Sequence, residues 1–185
     1  MQTPHPLAGL RVRPIREADL EAVVAIYAHH VHHGTGTFEL EAPDAVEMTR
    51  RRDDVLAKGL PWLVAEHDGV VVGYAYANVF RPRLAYRYCL EDSVYVHPAA
   101  VGRGAGRALL AELIARCTAH GARQMLAVIG DADNLGSIGL HRACGFVPCG
   151  RLEAAGWKFG RWLDVVLMQR ALGPGASTPP AAAER

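Results

Sequence analysis

Three glycines alternate along Val101-Gly102-Arg103-Gly104-Ala105-Gly106-Arg107, between an apolar stretch and a segment of helical pattern. Glycines let backbone N–H groups converge on an anion with no Cβ in the way. A helix N-terminus behind them adds a partial positive charge, so the segment reads as a pyrophosphate cradle that Arg103 and Arg107 can supplement. It is not a P-loop, because no Gly-Lys-Ser/Thr follows, and it lacks the third glycine of the dinucleotide fingerprint. A flexible turn is the plainer reading of a short Gly-x-Gly, but this segment is longer and leads directly into the helix.

Other chemistry-bearing residues cluster nearby in sequence. In Leu90-Glu91-Asp92-Ser93-Val94-Tyr95-Val96, strand alternation puts Glu91, Ser93 and Tyr95 on one face and Leu90, Val94 and Val96 mainly on the other. Glu91 is a candidate proton acceptor just upstream of the cradle; a surface carboxylate at a strand start is the alternative. Asn134, Ser137 and His141 are spaced i, i+3, i+7 and share a helix face. Asn134 also suits a helix N-cap. Arg81, Arg83 and Arg87 lie between two strands, where guanidinium forks could hold a carboxylate or simply be solvated. His29, His30, His32 and His33 have helical spacing, but no carboxylate or cysteine sits at ligand spacing beside them, and no metal is expected.

The elements that must position these groups follow from periodicity. Strands are expected over Leu10–Arg13, Trp62–Glu66, Val70–Phe80, Leu90–Val96, Gln124–Ile129, Phe146–Leu152 and Trp162–Gln169, and helices over Ala18–His30, Asp44–Lys58, Ala105–His120 and Asn134–Cys144. Asp19 is a candidate cap for the first helix. Asp44 and Glu47 stand at capping-box spacing for the second. Asp68-Gly69 signals a hairpin. The helix over Ala105–His120 joins two strands as a crossover, which implies one parallel pair in an otherwise hairpin-rich sheet. The expected fold is mixed α/β, mostly antiparallel, with helices on both faces. Residues 10–172 make one domain, 1–9 a loose lead-in, and the Pro- and Ala-rich 173–185 a disordered tail.

Composition narrows the partners. A net charge of +1 argues against nucleic acid, which demands a basic excess. The run Arg50-Arg51-Arg52 is followed at once by Asp53 and Asp54, as on a solvated helix face. The four cysteines form no CxxC pair and no zinc spacing. No apolar run approaches the ~20 residues that span a bilayer, and the N-terminus has no signal-peptide pattern. A cytoplasmic protein with reduced thiols is expected.

The glycine segment resembles the acetyl-CoA-binding motif Q/R-x-x-G-x-G/A of the GNAT acetyltransferases, with Val101 departing from the usual Gln or Arg. The element order is similar to that fold over nearly all of 10–172. Glu91-Asp92-Ser93-Val94-Tyr95-Val96-His97-Pro98, Ser137-Ile138-Gly139-Leu140-His141 and Lys158-Phe159-Gly160-Arg161-Trp162-Leu163-Asp164 resemble the branch of phosphinothricin and methionine sulfoximine acetyltransferases.

The resemblance implies acetyl-CoA as cosubstrate, bound by Val94, Tyr95, Val96, Gly102, Arg103, Gly104, Ala105, Gly106, Arg107 and Asn134. It implies a small amine acceptor that carries a carboxylate, met by Arg81 or Arg87, Ser93 and Glu91, with Phe38 as an apolar wall. It also implies Glu91 as general base and a homodimer. His141 stands where many relatives carry a Tyr that protonates the coenzyme thiolate. It could donate that proton, only hydrogen-bond the sulfur, or be a buried structural histidine. A peptide N-terminus or lysine as acceptor, and a non-catalytic acetyl-CoA sensor, are the competing readings.

Overall fold

The computed structural model describes residues 7–180. The chain runs β1 (Arg11–Pro14), α1 (Leu20–His33), α2 (Ala45–Ala57), β2 (Trp62–His67), β3 (Val70–Val79), β4 (Cys89–Val96), α3 (Ala105–Ala119), β5 (Gln124–Gly130), α4 (Leu135–Ala143), β6 (Val147–Lys158) and β7 (Arg161–Ala171). The strands form one seven-stranded sheet in the order β1-β2-β3-β4-β5-β7-β6. Every neighbouring pair is antiparallel except β4–β5, which is parallel across the α3 crossover. The expected mixed, mostly antiparallel sheet is therefore present.

Helices α1 and α2 cover one face and α3 and α4 the other. Tyr95 of β4 packs edge-on against Tyr27 of α1, with ring centres 4.9 Å apart, whereas Asp92 of β4 meets His141 of α4 on the opposite face. Leu109, Leu110 and Leu113 of α3, with Met125, Leu90 and Val64 of the sheet, are almost wholly removed from water. Burial of that kind contributes ~1.5–3 kcal/mol per large side chain.

Local signals behaved unevenly. Asp68-Gly69 makes the expected two-residue hairpin turn, with both residues at positive φ. Asp44 caps α2, its Oδ1 accepting from the Glu47 N–H at 2.8 Å, but the Glu47 carboxylate turns to Arg50 and Arg51 rather than closing a box. Asp19 makes no cap bond to α1. Its carboxylate instead receives two bonds from the buried Arg13 guanidinium, at 2.6 and 2.8 Å, a charge-assisted fork that outcompetes a single amide. Within Arg50–Arg52, Arg51 is half-buried and spans Glu39 and Glu47.

The largest departure is β6, which continues to Lys158 instead of ending at Leu152. Its register breaks at Pro148/Gly150 and again at Leu152/Gly156, and these weak strand formers hide the strand from periodicity. Phe159-Gly160 then turns the chain into β7 with positive φ at both residues. At the chain ends, Leu7 is buried and donates its N–H to Arg103 O. Arg123 bonds the carbonyls of Gly175, Thr178 and Pro179, so the stretch just past residue 172 lies against β5. The rest of the expected lead-in and tail, 1–6 and 181–185, lies outside the described residues.

Candidate active site

Parallel pairing between β4 and β5 covers Cys89↔Gln124 to Asp92↔Ala127 and stops there. Beyond Asp92 the strands part. The edge of Ser93–Val96 and the end of β5 face each other across a cavity of about 870 Å³. Its walls are those strand ends, the α1–α2 segment Gly34–Thr37, the glycine turn and the start of α4. A strand edge without a partner offers N–H and C=O groups to an extended ligand.

The glycine turn closes one end. Gly102 and Gly104 sit at φ +76° and +93°, the left-handed region that only glycine enters cheaply. Gly104 is the N-cap residue of α3 and has no side chain to satisfy the first-turn amides, so these remain available for an anion. A Cβ on Gly104 would meet nothing within 4 Å, so its requirement comes from the backbone alone. Gly106 differs: a Cβ there would lie 3.2 Å from Leu140 Cδ2 and 3.5 Å from Val96 Cγ2, so it lets α3 pack close to α4 and β4. Arg107 lines the cavity; Arg103 and the buried Ala105 belong to the turn without lining it.

Glu91, Ser93, Val94, Tyr95, Val96, Asn134 and His141 all line the cavity. Burial pushes the Glu91 carboxyl above its usual range; the Asp92 charge adds to this, and Arg81 works against it. Asn134 caps α4, its Oδ1 accepting from Ser137 N–H at 3.2 Å, and it borders the cavity as well, so both readings of that residue are compatible.

His141 is buried and engaged at both ring nitrogens. Nδ1 lies 2.8 Å from Ser137 O and Nε2 lies 2.9 Å from Asp92 Oδ2. A backbone carbonyl only accepts, so Nδ1 carries a proton. Burial works to lower the imidazole pKa, but the hydrogen bond and charge of Asp92 outweigh it, and the ring titrates above its ordinary value. The Asp92 contact therefore favours the protonated ring.

Asp92 is the principal residue that sequence reasoning missed. A charged residue among Leu90, Val94 and Val96, on a face that is otherwise apolar, is a signal that a partner waits across the core. His30 was also missed as a lining residue; its Nε2–H donates to Val96 O at 2.9 Å, and burial pulls its pKa down. Thr37 and Tyr76 also line the cavity.

Three residues expected to bind the acceptor do not line the cavity. Arg81 and Arg87 are exposed in the loop before β4, lying over the rings of Phe80 and Tyr88 at 5.0 and 4.8 Å. That loop forms a 3-10 turn over Leu84–Tyr86, and residues 81–87 are all exposed. Arg81 is still near enough for its charge to act on Glu91. Phe38 is not a wall either; its ring packs behind the loop against Gly130 and Gly156.

An amide cradle, an unpaired strand edge and a half-buried carboxylate in one groove suit a long, phosphate-bearing thioester whose reactive end lies near Glu91. Comparisons with known proteins agree. Residues 23–146 match the acetyltransferase (GNAT) family. The chain is 57% identical over 169 residues to a phosphinothricin N-acetyltransferase of Alcaligenes faecalis, covering 91% of this chain and 86% of that protein. It is 38% identical to an L-methionine sulfoximine/L-methionine sulfone acetyltransferase of Salmonella typhimurium, covering 88% and 95%. The crystal structure of a GNAT superfamily phosphinothricin acetyltransferase from Sinorhizobium meliloti in complex with AcCoA superposes with a TM-score of 0.92 at 47% identity, covering 94% of each chain. The chain thus belongs to the GNAT acetyltransferase family and is an N-acetyltransferase with acetyl-CoA as its cosubstrate.

Proposed function

We propose that this enzyme acetylates the α-amine of a small amino-acid-like acceptor of the phosphinothricin, methionine sulfoximine or methionine sulfone type, by direct transfer. The observation that carries the reading is Glu91: a half-buried carboxylate, made more basic than usual, in the cavity wall at the end away from the amide cradle. The names of the relatives support the acceptor class.

Bound acetyl-CoA supplies the activated acetyl group. Backbone amides at Gly104–Gly106 hold its pyrophosphate, Arg107 adds charge, and the edge of Ser93–Val96 aligns the pantetheine arm. Glu91 takes the ammonium proton of the acceptor, so that the neutral nitrogen attacks the thioester carbonyl; the N–C bond forms, the nitrogen releases its second proton to solvent on becoming an amide, and the C–S bond breaks. We assign to His141, which lines the same cavity, the return of a proton to the leaving thiolate, its Nε2–H leaving Asp92 to do so.

A substrate screen tests the acceptor class. Methionine sulfone and methionine sulfoximine should be turned over about 10- to 100-fold more efficiently than the matching decarboxylated amines, the range for losing a charge-assisted contact. Peptide N-termini and lysine side chains should be poor acceptors. Equal kcat/KM for acid and amine would overturn the reading. The position of Arg81 and Arg87 outside this cavity makes Arg81→Ala and Arg87→Ala informative companions to that comparison.

We also infer a homodimer and a cytoplasmic location. Leu152, Trp157, Phe159 and Trp162 are all more than half exposed along β6 and β7, and an apolar patch of this kind suits a self-complementary two-fold contact. A monomeric mass at micromolar concentration would overturn the dimer. Dependence on acetyl-CoA supports an intracellular site, which cell fractionation checks; among the described residues no helix is long and apolar enough to cross a membrane.

A further inference from the structure

Lys158 ends β6, and only 3% of its surface is exposed. A buried ammonium ordinarily faces a carboxylate. Lys158 instead donates to two backbone carbonyls, Gly34 O at 2.9 Å and Thr37 O at 2.8 Å, with the Phe159 ring 5.0 Å away. Those carbonyls bracket the segment Gly34–Thr37, which lines the same cavity as Tyr76 and Glu91 and whose Gly36 lies next to the Asn134 side chain. Burial pulls the pKa of the ammonium down, partly offset by Glu39. A position that served packing alone would not need that cost, whereas two inward-facing carbonyls need a donor.

The rest of the β6–β7 turn holds the same segment. Arg161 Nη2 lies 2.5 Å from Asp131 Oδ2, and the Thr35 side chain bonds that same Asp131 carboxylate. The loop also sits directly on backbone. A Cβ on Gly130 would fall 2.3 Å from Thr35 O, and one on Gly156 would fall 2.3 Å from the Phe38 ring. From the other side, Tyr27 OH bonds Thr37 Oγ1 at 2.9 Å. The loop is therefore fixed by polar contacts at both ends and by ring-on-glycine packing between them.

We propose that Lys158 is a positioning residue for acceptor binding: by bridging Gly34 O and Thr37 O it holds the wall of the acceptor half of the cavity against the β6–β7 hairpin. The inference rests on the reading above that the Glu91 end receives the amine. It gives a purpose to the Lys158–Arg161 segment, which otherwise touches no reacting group. Lysine suits the task because one compact ammonium can serve two carbonyls.

The test is Lys158→Met, a near match in length without donors. Hydrogen exchange of the amides over residues 34–38 should quicken by about tenfold or more, while exchange in α3 and β5 stays unchanged. The acceptor KM should rise about tenfold, with acetyl-CoA affinity, measured by calorimetry without acceptor, within about twofold of wild type. Lys158→Gln, which keeps one donor group, should fall between, and it serves if the methionine variant does not fold. Unchanged exchange over 34–38 overturns the proposal. Faster exchange with equal weakening of both substrates also overturns it, reducing Lys158 to a stability role. A wrong acceptor class would show separately in the substrate screen, because the exchange result does not depend on which amine is acetylated.

Discussion

Glu91→Gln should lower kcat/KM for the acceptor by roughly 10²–10⁴ at pH 7, the usual effect of losing a positioned general base. The change keeps the shape of the side chain, so acetyl-CoA binding at the glycine turn should be unaffected. An α-amine has a pKa near ~8, so most acceptor molecules arrive as ammonium at neutral pH and must lose a proton before attack. Three features suit Glu91 to that step. Burial raises its pKa, the adjacent Asp92 raises it further, and Arg81 limits the rise. A carboxyl group raised in this way binds protons more readily than a solvated one, which suits it to accept the ammonium proton.

Two pH signatures follow. The wild-type kcat/KM should fall on the acid side as Glu91 becomes protonated, at a pH above the ordinary carboxylate range. The deficit of the Gln variant should shrink as pH rises past ~8, where the amine deprotonates unaided. Measuring kcat/KM from pH 6 to 9.5 for both proteins checks this. A Gln variant as active as wild type at pH 7, or a deficit constant with pH, removes Glu91 from proton transfer.

How far the sequence anticipated this site depends on the range of each signal. The glycine turn and the Asp68-Gly69 hairpin were legible because their information lies within a few residues and rests on backbone sterics. The parallel β4–β5 pair was legible because a helical crossover leaves little other topology. Asp92 and His141 are 49 residues apart, and their meeting depends on strand register and helix orientation. The Lys158 bridge spans 124 residues to Gly34 and 121 to Thr37, and it sits at the end of a strand that Pro148, Gly150 and Gly156 disguise. Arg81 and Arg87 lie outside the cavity lining, although Arg81 is near enough for its charge to act on Glu91. Their residue type suited a carboxylate, but the turn over Leu84–Tyr86 decides where they point, and nothing in the spacing announced that turn.

The Asp92–His141 pair separates structural from catalytic histidine, because the two roles fail differently. His141→Leu should destabilise the protein by about 3–5 kcal/mol, the cost of removing one partner from a buried pair. Asp92 would lose its partner across the core; its Oδ1 already lacks one among the described residues, and the side chain is 2% exposed. For a chain of this size that corresponds to a Tm lower by roughly 10 °C. The double variant Asp92→Leu/His141→Leu removes both charges at similar volume and should recover most of the stability, since apolar replacements of buried ion pairs are often neutral. The pH dependence of wild-type stability has a definite sign. The raised imidazole pKa means that the stabilisation is complete below the unfolded value of ~6.5 and is lost as pH rises through the folded value. Activity should not follow stability. If His141 returns the proton to the coenzyme thiolate, the double variant regains its Tm but keeps a kcat about 10²-fold below wild type. Thermal melts at pH 6 and pH 9 with steady-state rates on the same samples read out both effects. A single variant as stable as wild type would remove the buried ion pair, and a double variant with full kcat would leave His141 with packing and hydrogen bonding alone.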